Sequence, residues 1–323
     1  MRYALERLGF YLIAGWVSIT LNFFLPRMMP GDAATAMFGR FQGKLAPEAL
    51  EALKAAFGFT EGPLWEQYLT YLSHLLRGDL GISVSAFPSP VSDIISTGLV
   101  WTLVLAGSAL IISFIIGSTL GVIIAWNRGR WLDRLLPPSF ALLGTFPYFW
   151  LAMVALWLFG FELGWFPLRH AHSAHLEPAW TLTFILDVAA HAVLPVGSVV
   201  IATIGGGVMG VRNTMIAVLG EDYIRLAHAK GLHPRRVMWR YAATNALLPS
   251  VTSFGMAVGL ILGGALLTEI VFSYPGTGFL LLQAVRAQDY PLMKGLFLTI
   301  TLAVLAANWF VDMAILWLDP RTR

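Results

Sequence analysis

Residues 99–126 read Leu-Val-Trp-Thr-Leu-Val-Leu-Ala-Gly-Ser-Ala-Leu-Ile-Ile-Ser-Phe-Ile-Ile-Gly-Ser-Thr-Leu-Gly-Val-Ile-Ile-Ala-Trp, with no charged residue among them. A helix rises about 1.5 Å per residue, so about 20 apolar residues cross a hydrocarbon core about 30 Å thick. This stretch is long enough. It must be helical, because an open strand would leave its N–H and C=O groups unpaired in lipid.

The rest of the chain repeats the pattern. Of 323 residues, 57% are hydrophobic and 12% charged, against about 25% charged in a soluble globular chain. Mean hydropathy is +0.71. Five further apolar runs stand at 9–26, 135–161, 193–216, 246–272 and 292–318. The third run of the chain, 135–161, is expected to be interrupted at Pro137-Pro138 and again at Pro147. The expectation is an all-α membrane protein with six transmembrane helices. A signal peptide is the competing reading of the first run, since Ala34-Thr35-Ala36 resembles a cleavage site. The length of the run, and Pro26-Arg27 with Pro30-Gly31-Asp32 standing between, argue against it.

There is no cysteine, which removes disulfides and thiolate metal sites, and a formal net charge of only +3 gives no footprint for nucleic acid. The basic residues instead orient the chain. With the N-terminus inside, Arg2, Arg7, Arg128, Arg130, Arg134, Arg212, Arg225, Lys230, Arg235, Arg236, Arg240, Arg321 and Arg323 fall on the cytoplasmic side. Five of the eight remaining ones sit in one long segment, 27–97, and long segments translocate largely regardless of charge. Both termini are expected inside. The chain then divides into 1–98, a first span with an extracytoplasmic helical insertion, and 99–323, a five-helix core. Within the insertion the patterns predict helices at 46–57 and 63–76.

The cytoplasmic loop 217–245 holds the strongest functional signal. From Glu221 it reads Glu-Asp-Tyr-Ile-Arg-Leu-Ala-His-Ala-Lys-Gly-Leu-His-Pro-Arg-Arg-Val. Glu221 and Asp222 suit a helix N-terminus and Lys230 a C-terminus. Gly231 suits a left-handed end, and Pro234 a new first turn. Ala227, Ala229 and Gly231 are small enough for close approach by another protein, flanked by charges that fix orientation. An ordinary basic loop held by lipid headgroups is the plainer reading of the same residues.

Glu221-Asp222-Tyr223, Ala227-x-Ala229-Lys230-Gly231-Leu232 and Asn245-Ala246-Leu247-Leu248-Pro249 together resemble the EAA loop of permease subunits of binding-protein-dependent ABC importers, nearest the dipeptide/oligopeptide/nickel type. Segments in matching order extend the resemblance over nearly the whole chain. They are Leu75-Leu76-Arg77-Gly78-Asp79-Leu80-Gly81, Trp131-Leu132-Asp133-Arg134, Phe146-Pro147-Tyr148-Phe149-Trp150-Leu151, Leu163-Gly164-Trp165-Phe166-Pro167, Glu269-Ile270-Val271-Phe272-Ser273-Tyr274-Pro275-Gly276, Asp289-Tyr290-Pro291 and Leu318-Asp319-Pro320-Arg321.

The resemblance implies a type I ABC importer-like permease fold in a bacterial inner membrane. It also implies a second permease subunit as heterodimer partner, two ATP-binding subunits and an extracytoplasmic solute-binding protein. Glu221, Asp222, Arg225, Ala227, Ala229 and Gly231 would carry the coupling to the ATPase. No cofactor is implied on this chain, with ATP and magnesium held by the partners. Asn213 after Arg212, the Glu-Asp-Tyr start and the Leu-Leu-Gln end of 279–283 look like the branch associated with oligosaccharides. Cargo stays open between peptides, oligosaccharides and nickel.

The residues agree with a subunit that is not itself an enzyme. Its Gly43-Lys44 pair is followed by Leu45, where a phosphate loop needs Ser or Thr for magnesium. A secondary transporter or channel is the competing class, but coupling by ions needs ionisable groups near the bilayer centre, and Asp312 and Glu269 are few and near the span ends. His170, His172 and His175 are a weak metal-binding pattern with a solvated loop as the alternative. Three glycine sets, Gly255/Gly259/Gly263, Gly117/Gly121 and Gly206/Gly210, suit close helix packing. Asn22, Ser108, Ser113, Thr252, Ser253 and Asn308 either line a wet path or bond helix to helix.

Overall fold

A computed structural model describes residues 2–28, 63–264 and 266–318. The helix expected at 46–57 and the terminal Asp319-Pro320-Arg321 lie outside the described residues. Among the described residues everything regular is helical, apart from one isolated bridge between Ile82 and Pro90. Among the described residues four helices are long and apolar enough to cross a membrane. They are α1 (Arg2–Met28), α3 (Val91–Trp126), α6 (Leu182–Leu219) and α13 (Tyr290–Leu318). A short helix α2 (Leu64–Leu76) follows the undescribed segment, as the 63–76 pattern predicts.

The expected third span is a bent pair. Helices α4 (Trp131–Leu143) and α5 (Tyr148–Ala155), the latter prolonged by a π-helical stretch Leu156–Glu162, meet at 95°. The break falls at 144–147, where Pro147 caps α5. The double proline does not interrupt the chain, contrary to the sequence expectation: Pro137 and Pro138 both lie inside α4. The turn after Leu143 is closed instead by Gly144 N–H donating to Phe140 O at 2.9 Å and Thr145 Oγ1 donating to Leu142 O at 2.6 Å. The fifth expected span falls on α10 (Leu248–Gly264) and α11 (Leu266–Val271), which flank residue 265 and are not among the helices long and apolar enough to cross alone; with the bent pair taken as one span, the described residues give five where six were expected.

The chain forms two compact units, one of residues 1–102 with 275–309, the other of residues 103–274 with 310–323. In the first, α1 is pinned by polar contacts. Thr20 Oγ1 and Tyr68 OH lie 2.7 Å apart, and Asn22 Nδ2 donates to Lys294 O at 2.8 Å. Phe23 is buried with its ring centroid 5.2 Å from that of Tyr68. Helix α12 (Thr277–Ala287) begins beneath Gly98 of α3, where Thr277 N–H donates to Thr102 Oγ1 at 2.8 Å.

The firmest knot of this unit is Asp289, which is wholly buried. Its Oδ2 accepts from Ser83 Oγ at 2.5 Å, Ser85 Oγ at 2.7 Å and Ser85 N–H at 2.8 Å. Its Oδ1 accepts from Leu292 N–H at 3.1 Å, capping α13. A buried carboxylate is tolerable only with such donors.

In the second unit α6 is the centre, with Leu194, Val199, Val200, Ile204, Val208, Val211 and Met215 buried along its length. Helix α3 reaches it through Gly117 and Gly121, as their spacing predicts. A Cβ on Gly121 would stand 2.8 Å from Val208 O and 2.7 Å from Val211 Cβ. Gly206 and Gly210 do not serve this packing, since nothing lies within 4 Å of a Cβ built on either. Their neighbours do: Gly205 faces Phe140 O of α4 at 2.9 Å, and Gly207 faces the Cα of Gly117 at 3.9 Å. Gly255 packs against Val311, at 2.5 Å from a Cβ to Val311 Cγ1; the side-chain surroundings of Gly259 and Gly263 lie outside the described residues.

Helix α6 also starts eleven residues before the apolar run from 193. Asp187 and His191 lower the hydropathy there, but both are satisfied. Asp187 accepts from Ser173 N–H and Ser173 Oγ, each at 2.7 Å, and His191 Nδ1 lies 2.8 Å from Asp187 O.

Asp289→Ala leaves the Ser83 and Ser85 donors without their acceptor. The expected loss is about 2–3 kcal/mol, read as a lower thermal midpoint of the purified chain in detergent, with Ser85→Ala losing about 1 kcal/mol. An unchanged midpoint for Asp289→Ala would remove this knot from the stability of the unit.

Candidate functional site

Between α6 and α10 the chain makes a helix, a break and a second helical rod. Helix α7 (Asp222–Ala229) follows the N-cap Glu221, with Asp222 in its first turn. Both carboxylates stand at the positive end of the helix dipole. The helix ends as the sequence predicts. Gly231 has φ +70°, its N–H donates to His228 O at 2.9 Å, and Leu232 N–H donates to Ala227 O at 3.3 Å. This pair of bonds is the Schellman pattern, which satisfies the last carbonyls of a helix with a left-handed residue just beyond it. Pro234 then opens α8 (Pro234–Arg236), which continues through a π-helical stretch Val237–Ala243 into α9 (Thr244–Ala246).

One face of α7 is buried. Ile224 and Ala227 join a cluster with Val122 and Ala125 near the end of α3, Val211 and Met215 near the end of α6, and Val237, Ala242, Ala243 and Ala246 of the rod. Covering Ile224 alone is worth about 2 kcal/mol. Ala227 therefore serves this inner face and is not open to a second protein: its side chain is 3% exposed. Two flanking contacts hold the helix in place. The His228 ring stacks on Trp126 of α3 with centroids 6.3 Å apart. Asn245 Nδ2 donates to Tyr223 OH at 2.9 Å and to Tyr241 O at 3.1 Å.

The other predicted residues, Glu221, Asp222, Arg225, Ala229 and Gly231, are all exposed. Arg225 and Asp222 lie 3.3 Å apart at 74% and 97% side-chain exposure, a pairing too open to add much stability. Between them and Ala229 stands Leu226, 55% exposed. The outer face is thus an apolar strip, Leu226 and Ala229, bordered by Asp222, Arg225 and Lys230. An apolar centre with a charged rim is the pattern of a protein–protein contact.

Sequence reasoning missed Leu226, whose helical register with Ala229 was its available signal. It also missed the ion pair at the head of α4. Arg212 of α6 donates from Nε to Asp133 Oδ1 at 2.7 Å, and Gly129 N–H donates to Asp133 Oδ2 at 2.9 Å. Both residues lay in motifs singled out separately, and nothing in their spacing revealed that they meet. The glycine at 129 has φ +80°, which shapes the turn that presents its N–H.

The three histidines are not brought together as a ligand set. His170 N–H donates to Phe272 O at 3.0 Å, and the His172 ring lies 5.3 Å from Phe184. Among the described residues no group of three His, Asp or Glu side chains is arranged for a metal ion. Of the polar residues in the spans, Asn22, Ser108, Ser113 and Ser253 bond within the protein: Ser113 Oγ is 3.0 Å from Thr203 Oγ1, and Ser253 Oγ donates to Pro249 O at 3.1 Å.

A helical membrane subunit with several long apolar helices, and one short amphipathic helix braced against the ends of two of them, is the class defined by this geometry. The chain belongs to the family described as the binding-protein-dependent transport system inner membrane component, whose pattern matches residues 117–323. It is a permease subunit of that kind. It is 33% identical to the dipeptide transport system permease protein DppB of Alkalihalophilus pseudofirmus, over 100% of this chain and 99% of that one. It is 35% identical to the di/tripeptide transport system permease protein DppB of Pseudomonas aeruginosa, over 98% and 97% of the two chains. To the dipeptide transport system permease protein DppB of Escherichia coli K12 it is 35% identical, over 100% and 99%.

Gly231 separates conformation from contact. A Cβ there meets nothing within 4 Å, but φ is +70°. Gly231→Ala is expected to cost about 1–2 kcal/mol, while Gly231→Asn, which tolerates this region, costs less. Thermal midpoints of the two variants check this; equal losses would mean that the left-handed turn is not what the glycine supplies.

Proposed function

We propose that this chain is the permease subunit of an ATP-driven importer of dipeptides or short oligopeptides in a bacterial inner membrane. The observation that carries the reading is α7: a short helix whose inner face is packed on the ends of α3 and α6 and whose outer face offers Leu226 and Ala229 within a charged rim. The peptide cargo is supported by the names of the relatives, which transport dipeptides or di- and tripeptides. Nothing in the geometry favours oligosaccharides or nickel.

In this reading both termini and the loop 217–245 are cytoplasmic, following the basic residues of the short loops. The segment from 27 to 97 faces the outside and helps receive the solute-binding protein. A second permease completes the path, and two ATPase subunits bind and hydrolyse ATP. Glu221, Asp222, Arg225, Ala229 and Gly231 meet an ATPase subunit directly. Ala227 contributes from the inner side, by letting α7 lie close on the helix ends. No cofactor resides on this chain.

A movement of the ATPase surface that displaces α7 must also displace what α7 is packed against. Close-packed apolar interfaces have little room to deform. The displacement therefore passes to α3 and α6 and opens the path.

Two measurements test this. The complex drawn from its native membrane in mild detergent is expected to contain ATPase subunits and a second permease. In proteoliposomes with the binding protein, ATP-dependent uptake of a labelled dipeptide is expected. Leu226→Glu is expected to lower that uptake at least about tenfold with membrane insertion unchanged. Normal uptake by that variant would remove α7 as the coupling element, and recovery of the chain without ATPase subunits would remove the importer reading.

A further inference from the structure

The rod that follows α7 has its own outer face, which the coupling reading does not use. Val237, Ala242, Ala243 and Ala246 are buried against the ends of α3 and α6. Arg235, Arg236, Trp239 and Arg240 are exposed on the other side, Trp239 to 43%. The positions 235 and 239, and 236 and 240, are each one turn apart, so the four side chains share one face.

These cations are unpaired. Among the described residues no ion pair involves Lys230, Arg235, Arg236 or Arg240, whereas Arg212 and Arg225 both have carboxylate partners. The stretch 220–245 holds five basic residues and two acidic ones, so an excess of positive charge is left for an outside partner. The face also has a fixed depth. Its inner side touches Val122 and Ala125, within a turn or so of Trp126, where the apolar helix α3 ends. Two residues beyond the rod, Leu248 opens the apolar helix α10 and is 58% exposed. The three arginines and the tryptophan thus stand where hydrocarbon gives way to headgroups. An indole ring favours that layer, and a guanidinium matches a phosphodiester with two parallel hydrogen bonds.

We infer that Arg235, Arg236 and Arg240, with Trp239 between them, form a binding face for the phosphate headgroups of anionic lipid. The inference rests on the cytoplasmic placement of this loop, since anionic lipid at that leaflet supplies the charge. The outer face of α7 is then left to the ATPase, and the neighbouring rod is held to the bilayer. Lipid contact on the rod holds the loop at the bilayer surface, so that α7, the rod and the helix ends beneath them shift as one packed body.

The test compares wild type, the triple variant R235Q/R236Q/R240Q and the triple lysine variant, each purified as the intact complex. One readout is the phosphatidylglycerol retained, counted by mass spectrometry. The other is the thermal midpoint of the permease in nanodiscs of phosphatidylcholine with and without phosphatidylglycerol. Each arginine removed is expected to weaken phosphatidylglycerol binding about fivefold. The Gln variant should lose the retained lipid and the midpoint gain that phosphatidylglycerol gives to wild type, and the Lys variant should keep most of both. Equal retention and equal midpoint gain in wild type and the Gln variant would overturn the inference. So would Gln variants that keep the lipid but shed the ATPase subunits, which would assign the face to a protein. If inorganic phosphate protects wild type as well as phosphatidylglycerol vesicles do, the site reads free phosphate and the lipid assignment fails. Where the triple variant does not fold, R240Q alone is measured in the same way. Lipid retention is read on the permease, so it remains interpretable even if no ATPase subunit is recovered and the importer reading fails.

Discussion

Hydrocarbon offers no hydrogen bond to a peptide group, and every feature of this chain follows from that. The backbone answers by being helical wherever it is long and apolar. At Asp289 and Asp187 the side chains answer by meeting another part of the chain that completes them. Asp289 is buried only because Ser83 and Ser85 supply three donors to one of its oxygens. Asp187 sits in α6 because Ser173 supplies two. Such contacts fix positions that apolar packing alone would leave free to slide, since the hydrophobic effect does not distinguish a lipid tail from a neighbouring leucine.

Close approach supplies the rest of the order. Where no water is expelled between helices, dispersion contacts and fit must hold them. Gly121 lets α3 come within van der Waals distance of the main chain of α6, and Gly205 lets α4 do so from another side. Helix α6 is consequently gripped along much of its length, and Arg212 on it is tied to Asp133 at the head of α4. A displacement of α6 cannot be absorbed locally.

Much of this was legible in the residues and some was not. The apolar runs announced the helices, because hydropathy responds to the same solvent that the fold must satisfy. The loop after α6 was legible almost turn by turn: Gly231 and Pro234 are residues whose backbone preferences admit few alternatives. Facing was not legible. Gly206 and Gly210 have the spacing of a packing stripe, yet Gly205 and Gly207 make the contacts, because the rotation of a helix about its axis depends on partners distant in sequence. The same ignorance placed Ala227 on the outer face, where its size suggested a docking site, when that size instead lets α7 lie close on the helix ends. Pro137 and Pro138 misled for another reason: each removes a backbone donor from α4, yet the helix runs on through both and the chain turns only at 144–147.

The two sides of α7 carry different obligations, and this is what makes the loop suitable for passing on a force. Ile224 and Ala227 are committed to the interior and cannot exchange partners without opening a cavity. His228 on Trp126 and Tyr223 on Asn245 brace the helix at its edges against α3 and α9. Leu226 and Ala229 are exposed among the described residues. The physical argument for coupling is therefore an asymmetry. One face of a short helix is satisfied by the ends of the spans, the other is left open among the described residues, and the helix between them is tightly braced.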